Sequence, residues 1–226
     1  MSLHPDLFIN PSSKEEHHRL FTRCSVCRLQ QRVCLCSVLH QIPSVNRLQL
    51  VIHQKETKRT TNTGLLAAKC LKNSHVNRRG HPEPESLTNN EIDWQDYQPI
   101  LLFPNEGARV LTREFVQSIG KPVVLVVPDG NWNQASRMPR RVEQLIGLPS
   151  VILPEAGPTK YLLRQEKRRP EGLATMEAIS RAFSIMGETD VADYLDFVFT
   201  TMVQRTLWCK GVISTDDARQ WLPLEA

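Results

Sequence analysis

The chain has 226 residues, 40% hydrophobic and 23% charged, with a formal net charge of +4. That size suits one α/β domain with a small appendage, and so modest a charge does not by itself name a polyanion partner. No apolar run approaches the roughly 20 residues that span a bilayer, and MSLHPDLFINPSSKEEHHRL lacks the basic-then-apolar pattern of a signal peptide, so a membrane partner is not expected. The expected location is the cytoplasm, and the six cysteines are read as thiols of a reducing compartment.

After about twenty polar residues comes CSVCRLQQRVCLC, which places Cys24, Cys27, Cys34 and Cys36 within thirteen positions. Two short-spaced pairs let four thiolates converge on one tetrahedral zinc ion without a hydrophobic core to hold them. The other readings are four unligated thiols in a basic loop, or a redox pair. His40 is a competing ligand, but four cysteines already complete the shell. The segment 1–44 is therefore expected to form a zinc knuckle ahead of a catalytic domain over 45–226.

RLQLVIH (47–53) reads as the first strand. A polar loop with Lys58 and Arg59 follows, then a short helix from Asn62 or Thr63 that carries Cys70, read as a core residue. Amides exposed behind such a cap can bind an anion, although capping alone also accounts for the residues. The stretch 73–97 is rich in Asn, Pro and Glu and is expected to cross the surface, with Arg78 and Arg79 on a solvated loop. PILLFP (99–104) is a second strand. Val110, Leu111, Phe115 and Ile119 have helical spacing closed by Gly120.

The organising stretch is PVVLVVPDGNWNQASRMPRRV (122–142). Val123–Val127 is an apolar, mostly β-branched run, suited to a strand buried on both faces of a parallel sheet. Pro128-Asp129-Gly130 is expected to end it in a turn, with Gly130 allowing the chain to reverse. A polar helix bearing Trp132, Arg137, Arg140 and Arg141 should follow. Ligands gather at the carboxyl ends of strands in open α/β sheets, which puts Asp129 and Trp132 at a site; the plainer reading makes Asp129 a helix cap.

Val142, Leu145 and Ile146 then supply an apolar helix face, and Val151–Leu153 a short strand. In PTKYLLRQEKRRPEGLATMEA, Lys160, Arg164, Lys167, Arg168 and Arg169 form the densest basic cluster, adjoining a turn at Gly172, Leu173, Ala174 and Thr175. Such a turn is a reasonable wall for an adenosine, and Glu177 balances the dipole of the following helix, 176–186. A last amphipathic helix spans 190–210. Repeated β–loop–α units indicate a mainly parallel sheet with helices on both faces. GxGxxG, P-loop and nucleophile-elbow patterns are absent, which weakens dinucleotide, kinase and hydrolase readings.

The DGNW turn, the cysteine cluster and PTKYLLRQ…LATMEA, in that arrangement from about Cys24 to Phe183, resemble the DTW-domain family, named for an Asp-x-x-Trp signature. The family usually has Thr before the Trp, where this chain has Asn131. The resemblance implies a SPOUT-like, knotted α/β fold and an S-adenosylmethionine-dependent tRNA-uridine aminocarboxypropyltransferase. It further implies that Pro128, Trp132 and Leu173–Thr175 hold the cofactor, and that the zinc is structural. Asp129 would take the N3 proton of the uridine. Lys58, Arg59, Asn62, Arg137, Arg164, Lys167, Arg168 and Arg169 would face tRNA. A methyltransferase using the same pocket and a non-catalytic RNA-binding module are the alternatives. The oligomeric state is left open.

Overall fold

A computed structural model describes residues 22–80, 94, 96–155, 157–163 and 172–222. Its strands are β1 (Arg47–His53), β2 (Ser74–Arg79), β3 (Gln98–Leu102), β4 (Arg109–Val110), β5 (Val123–Asp129) and β6 (Ser150–Ile152). They form one sheet in the order β2-β1-β5-β3-β6-β4, and every pairing is parallel. The helices are α1 (Gln54–Thr57), α2 (Thr63–Cys70), α3 (Arg113–Ile119), α4 (Trp132–Ala135), α5 (Met138–Arg141), α6 (Thr175–Ile185), α7 (Thr189–Cys209) and α8 (Thr215–Ala218). The expected architecture, a mainly parallel sheet between helices, is the one observed.

All seven residues of β5 are buried. Their side chains alternate between two layers, as the twofold period of a strand demands. Val123, Leu125 and Val127 join Leu48, Leu50 and Ile52 of β1 in a large core that includes Ile179 and Phe183 of α6 and Phe199 of α7. Val124 and Val126 join Val51, Leu101, Met138 and Leu145 in a smaller one. Each fully buried Val, Leu or Ile contributes about 1.5–3 kcal/mol, so the side bearing α2, α6 and α7 dominates the stability.

Four elements differ from the sequence expectation. The stretch 73–97 contains β2, which pairs along its whole length with β1. SHVNRR looks like a loop because an edge strand needs few apolar residues; Arg79 is nonetheless buried and donates from Nη2 to Gln144 Oε1 at 3.0 Å. The helix expected over 110–119 begins only at Arg113, capped by Thr112, while Val110 lies in β4 and is exposed. Pro128 and Asp129 do not end β5 but belong to it, opposite Val51 and Ile52 of β1. Pairing with β3 stops at Val126, so the missing N–H of Pro128 costs no bond on that side. The helix after the turn breaks into α4 and α5, and 143–145 is a 3₁₀ turn that leaves Ile146 exposed.

The cysteine segment is continuous with the main core. Cys24, Cys27, Leu29, Val33 and Leu35 pack in the same cluster as the sheet. Arg205 of α7, only 2% exposed, donates from Nη1 to the Cys34 carbonyl and from Nε to that of Trp221. Tyr194 donates to the Val38 carbonyl at 3.0 Å, and its hydroxyl lies 3.2 Å from His40 Nδ1. His40 therefore belongs to this contact and not to the cysteine cluster.

The entry to β1 is locked to the central strand by one side chain. Buried Asn46 accepts from the Val123 N–H at 2.7 Å through Oδ1 and donates to Glu188 Oε1 at 2.7 Å through Nδ2. Asn46→Ala should strand the Val123 amide and cost about 1–3 kcal/mol, read as a lower urea midpoint at unchanged slope.

Candidate functional site

β1, β3, β5 and β6 all end at one cavity of about 560 Å³. Pro128, Asp129 and Trp132 line it from the end of β5, and Leu173, Ala174 and Thr175 from the entry to α6. Arg59 and Asn62 line it from the loop after β1. The segments that sequence separates by over a hundred positions thus share one wall. Lys58 and Arg137 are exposed and lie outside that lining. Arg164, Lys167, Arg168 and Arg169 lie outside the described residues.

Asp129 stands at the centre. It is 5% exposed, and each carboxylate oxygen accepts one hydrogen bond. Thr175 Oγ1 donates to Oδ1 at 2.6 Å and Asn62 Nδ2 donates to Oδ2 at 2.6 Å. Asn62 also caps α2, accepting from the Leu65 N–H at 2.7 Å. One carboxylate therefore fastens the first turns of α2 and α6 to the end of β5. An ionised carboxylate has about four acceptor sites, so two remain.

Close approach of α2 to Asp129 depends on Gly64. A Cβ there would lie 3.0 Å from Asp129 Oδ2 and 3.0 Å from Leu50 Cδ1. Gly130 serves by size as well: it has no left-handed φ, and a Cβ would meet Gln134 Cβ at 2.9 Å. Gln134 forms a capping box with Asn131, whose side chain accepts from the Gln134 N–H at 3.0 Å. Asn131, the departure from the usual family residue, is thus a helix cap. Trp132 is 43% exposed and stacks on Phe103, with ring centroids 5.3 Å apart.

Glu177 does more than face a helix dipole. It is 3% exposed and accepts from the Ala174 N–H at 2.8 Å, Thr159 Oγ1 at 2.5 Å and the Lys160 N–H at 2.6 Å. It holds the PTK segment against the 173–175 turn. Sequence reasoning did not name Phe103, the last apolar residue before a strand-ending Pro, and gave no individual role to Glu56 or Tyr161, although the HQKE and PTKY segments that carry them were visible; all three line the cavity.

The four cysteines of the knuckle form a second site. Their sulfurs lie within 4.8 Å of one another, with Cys24–Cys36 at 3.5 Å and Cys27–Cys34 at 3.6 Å. Bonds of about 2.3 Å from one ion to a tetrahedron of sulfurs put them roughly 3.8 Å apart, so the set fits zinc. Burial pushes the Cys24 thiol up, but the Cys27 and Val26 amides and the thiols of Cys36 and Cys34 outweigh it and hold it down to about 6. Burial pushes Cys27, Cys34 and Cys36 up. A bound cation is what lets all four ionise together. Cys70 lies apart, fully buried in the core, its thiol pushed up to about 12 by burial.

The DTW domain family matches residues 21–207, which include the knuckle, the Asp129–Trp132 turn and the entry to α6. The chain belongs to the DTW domain family. Curated relatives named tRNA-uridine aminocarboxypropyltransferase 2 occur in Drosophila melanogaster (28% identical, over 73% of this chain and 66% of that one) and Macaca fascicularis (26%, over 72% and 56%). A relative of the same name from Mus musculus is 26% identical over 76% of this chain and 58% of its own. The chain thus spans little more than half to about two thirds of the relatives it matches. The solved structure of the SAM-dependent rRNA:acp-transferase Tsr3 from Vulcanisaeta distributa superposes with a TM-score of 0.46 at 16% identity, over 78% of this chain and 89% of that one. So loose a superposition carries no argument about activity. No helix among the described residues is long and apolar enough to cross a membrane.

Two outcomes follow from this geometry. Cys27→Ser should release the metal and, because the knuckle shares the main core, lower the melting temperature of the whole chain in a single transition, measured by elemental analysis and circular dichroism. Gly64→Ala should force the Asp129 carboxylate away from α2 and cost about 1–3 kcal/mol, read by denaturant titration.

Proposed function

We propose that this DTW-family protein transfers the 3-amino-3-carboxypropyl group of S-adenosylmethionine to N3 of a uridine in tRNA, releasing methylthioadenosine. The observation that carries the reading is the convergence of Asp129, Trp132 and Leu173–Thr175 on one cavity at the carboxyl edge of the sheet. The names of the relatives point the same way. The cavity has apolar walls at Leu102, Val151 and Leu173 for an adenosine and polar groups around Asp129, and about 560 Å³ is ample for a cofactor of this size. When bound, S-adenosylmethionine supplies a sulfonium leaving group on an activated carbon.

The residues divide the remaining work. Leu173 and Ala174 form the wall beside the adenosine, and Glu177 keeps that wall in register with the PTK segment. Uridine N3 is an imide nitrogen, a poor nucleophile until it loses its proton. Asp129 is the group proposed to accept that proton, through acceptor sites left open by Asn62 and Thr175. Trp132, exposed at the rim and backed by Phe103, offers a face on which a base can stack. Arg137, Arg140 and Arg141 are exposed beside it and suit tRNA phosphates, which position the substrate without specifying sequence. Zinc takes no part in the reaction: its four cysteines leave no open position for a substrate.

The small product tests the reaction class. Purified protein with tRNA and S-adenosylmethionine should release methylthioadenosine; adenosylhomocysteine would indicate methyl transfer, and neither product a binding module. Asp129→Asn tests the base. Asn can still accept from Asn62 while donating to Thr175, so the fastening of α2 and α6 survives. The variant should bind cofactor and tRNA nearly as well as the parent while its rate falls roughly 10²–10⁴-fold, with partial recovery at high pH as free uridine ionises. Full activity, or lost cofactor binding, would remove Asp129 from that role.

A further inference from the structure

A second buried carboxylate lines the same cavity, and the chemistry above leaves it unused. Glu56, on α1, is 5% exposed. Its Oε2 lies 2.8 Å from Arg59 Nε, and among the described residues Oε1 has no hydrogen-bond partner. A carboxylate this buried is costly to keep unless its acceptor sites are used. Arg59 itself is 56% exposed along its side chain and lines the cavity, so its terminal nitrogens are open to a ligand.

The pair therefore presents, side by side, an acceptor for a cation and a planar donor fork for a carboxylate. An α-amino acid carries both complementary groups on one carbon. We propose that Glu56 and Arg59 clasp the amino-acid end of S-adenosylmethionine, Glu56 taking the ammonium and Arg59 the carboxylate. The inference rests on the transferase reading and deepens it. Such a clasp fixes the carbon chain to be transferred at the end of the cavity nearest Asn62 and Asp129, and leaves the apolar walls to the adenosine. Arg59, expected from sequence to face tRNA, acts here on the cofactor.

Two neutral thioethers isolate this contact from any attraction between Glu56 and the sulfonium. Adenosylhomocysteine has the amino-acid end; methylthioadenosine lacks it. By isothermal titration calorimetry, Glu56→Gln should weaken adenosylhomocysteine and S-adenosylmethionine roughly 10–100-fold and leave methylthioadenosine unchanged. Arg59→Gln, which removes the other half of the pair, should give the same pattern in protein whose folding is checked by circular dichroism. Unchanged affinity for adenosylhomocysteine in both variants, or equal losses for it and for methylthioadenosine, would overturn the clasp. A loss confined to S-adenosylmethionine would place Glu56 against the sulfonium and overturn it too. A parent protein that binds none of the three would overturn the transferase reading itself, which is a separate result from any variant's.

Discussion

The Asp129 carboxylate is the point on which the site is built. It sits at the end of a strand buried at every position, with its backbone paired to Ile52 of β1. Each oxygen then takes one donor from a different helix start, Asn62 for α2 and Thr175 for α6. A hydrogen bond to a charged group contributes about 1.5–3 kcal/mol, and losing one partner here would leave a buried polar group unpaired. Three elements remote in sequence are thus held to one another by a group that also faces the cavity.

That arrangement explains why the surrounding positions are small or polar. Gly64 must lack a Cβ for α2 to approach, and Gly130 must lack one for Gln134 to close the capping box on Asn131. Glu177 repeats the device beside it, joining the PTK segment to the 174 amide. The lining is therefore set by side-chain bonds before a ligand arrives. Preorganised walls of this kind are what a transfer reaction needs, because geometry set in advance need not be acquired in the transition state.

Much of this was legible in the chain. The uninterrupted apolar run at 123–127 gave the central strand, Asn62 gave the start of α2, and the spacing of four cysteines gave the metal site. The errors have common physical causes. β2 was invisible because SHVNRR has no apolar pattern: an edge strand is held by backbone bonds to β1, which any side chain permits. Pro128 looked like a strand terminator, but it lies where only one neighbour requires a ladder bond. Glu177 read only as balancing a helix dipole and Glu56 drew no individual role, because burial of a carboxylate is decided by tertiary neighbours and leaves no periodic trace.

The same logic ties the knuckle to the cavity. Arg28, held in the left-handed region at φ 69, donates from its guanidinium to the Thr57 carbonyl and, at 3.1 Å, to that of Lys58. Those carbonyls close the turn that follows Glu56 and leads to Asn62. Lys69 of α2 reaches back to the Val26 carbonyl at 2.6 Å, and Arg205 holds Cys34 from α7. A four-thiolate zinc site binds its ion with a free energy that also serves as folding free energy. In this protein that free energy would act on a segment bonded to both sides of the loop carrying Glu56, Arg59 and Asn62. An ion held by the four cysteines, though closed to substrate, would thereby brace the geometry of the cavity.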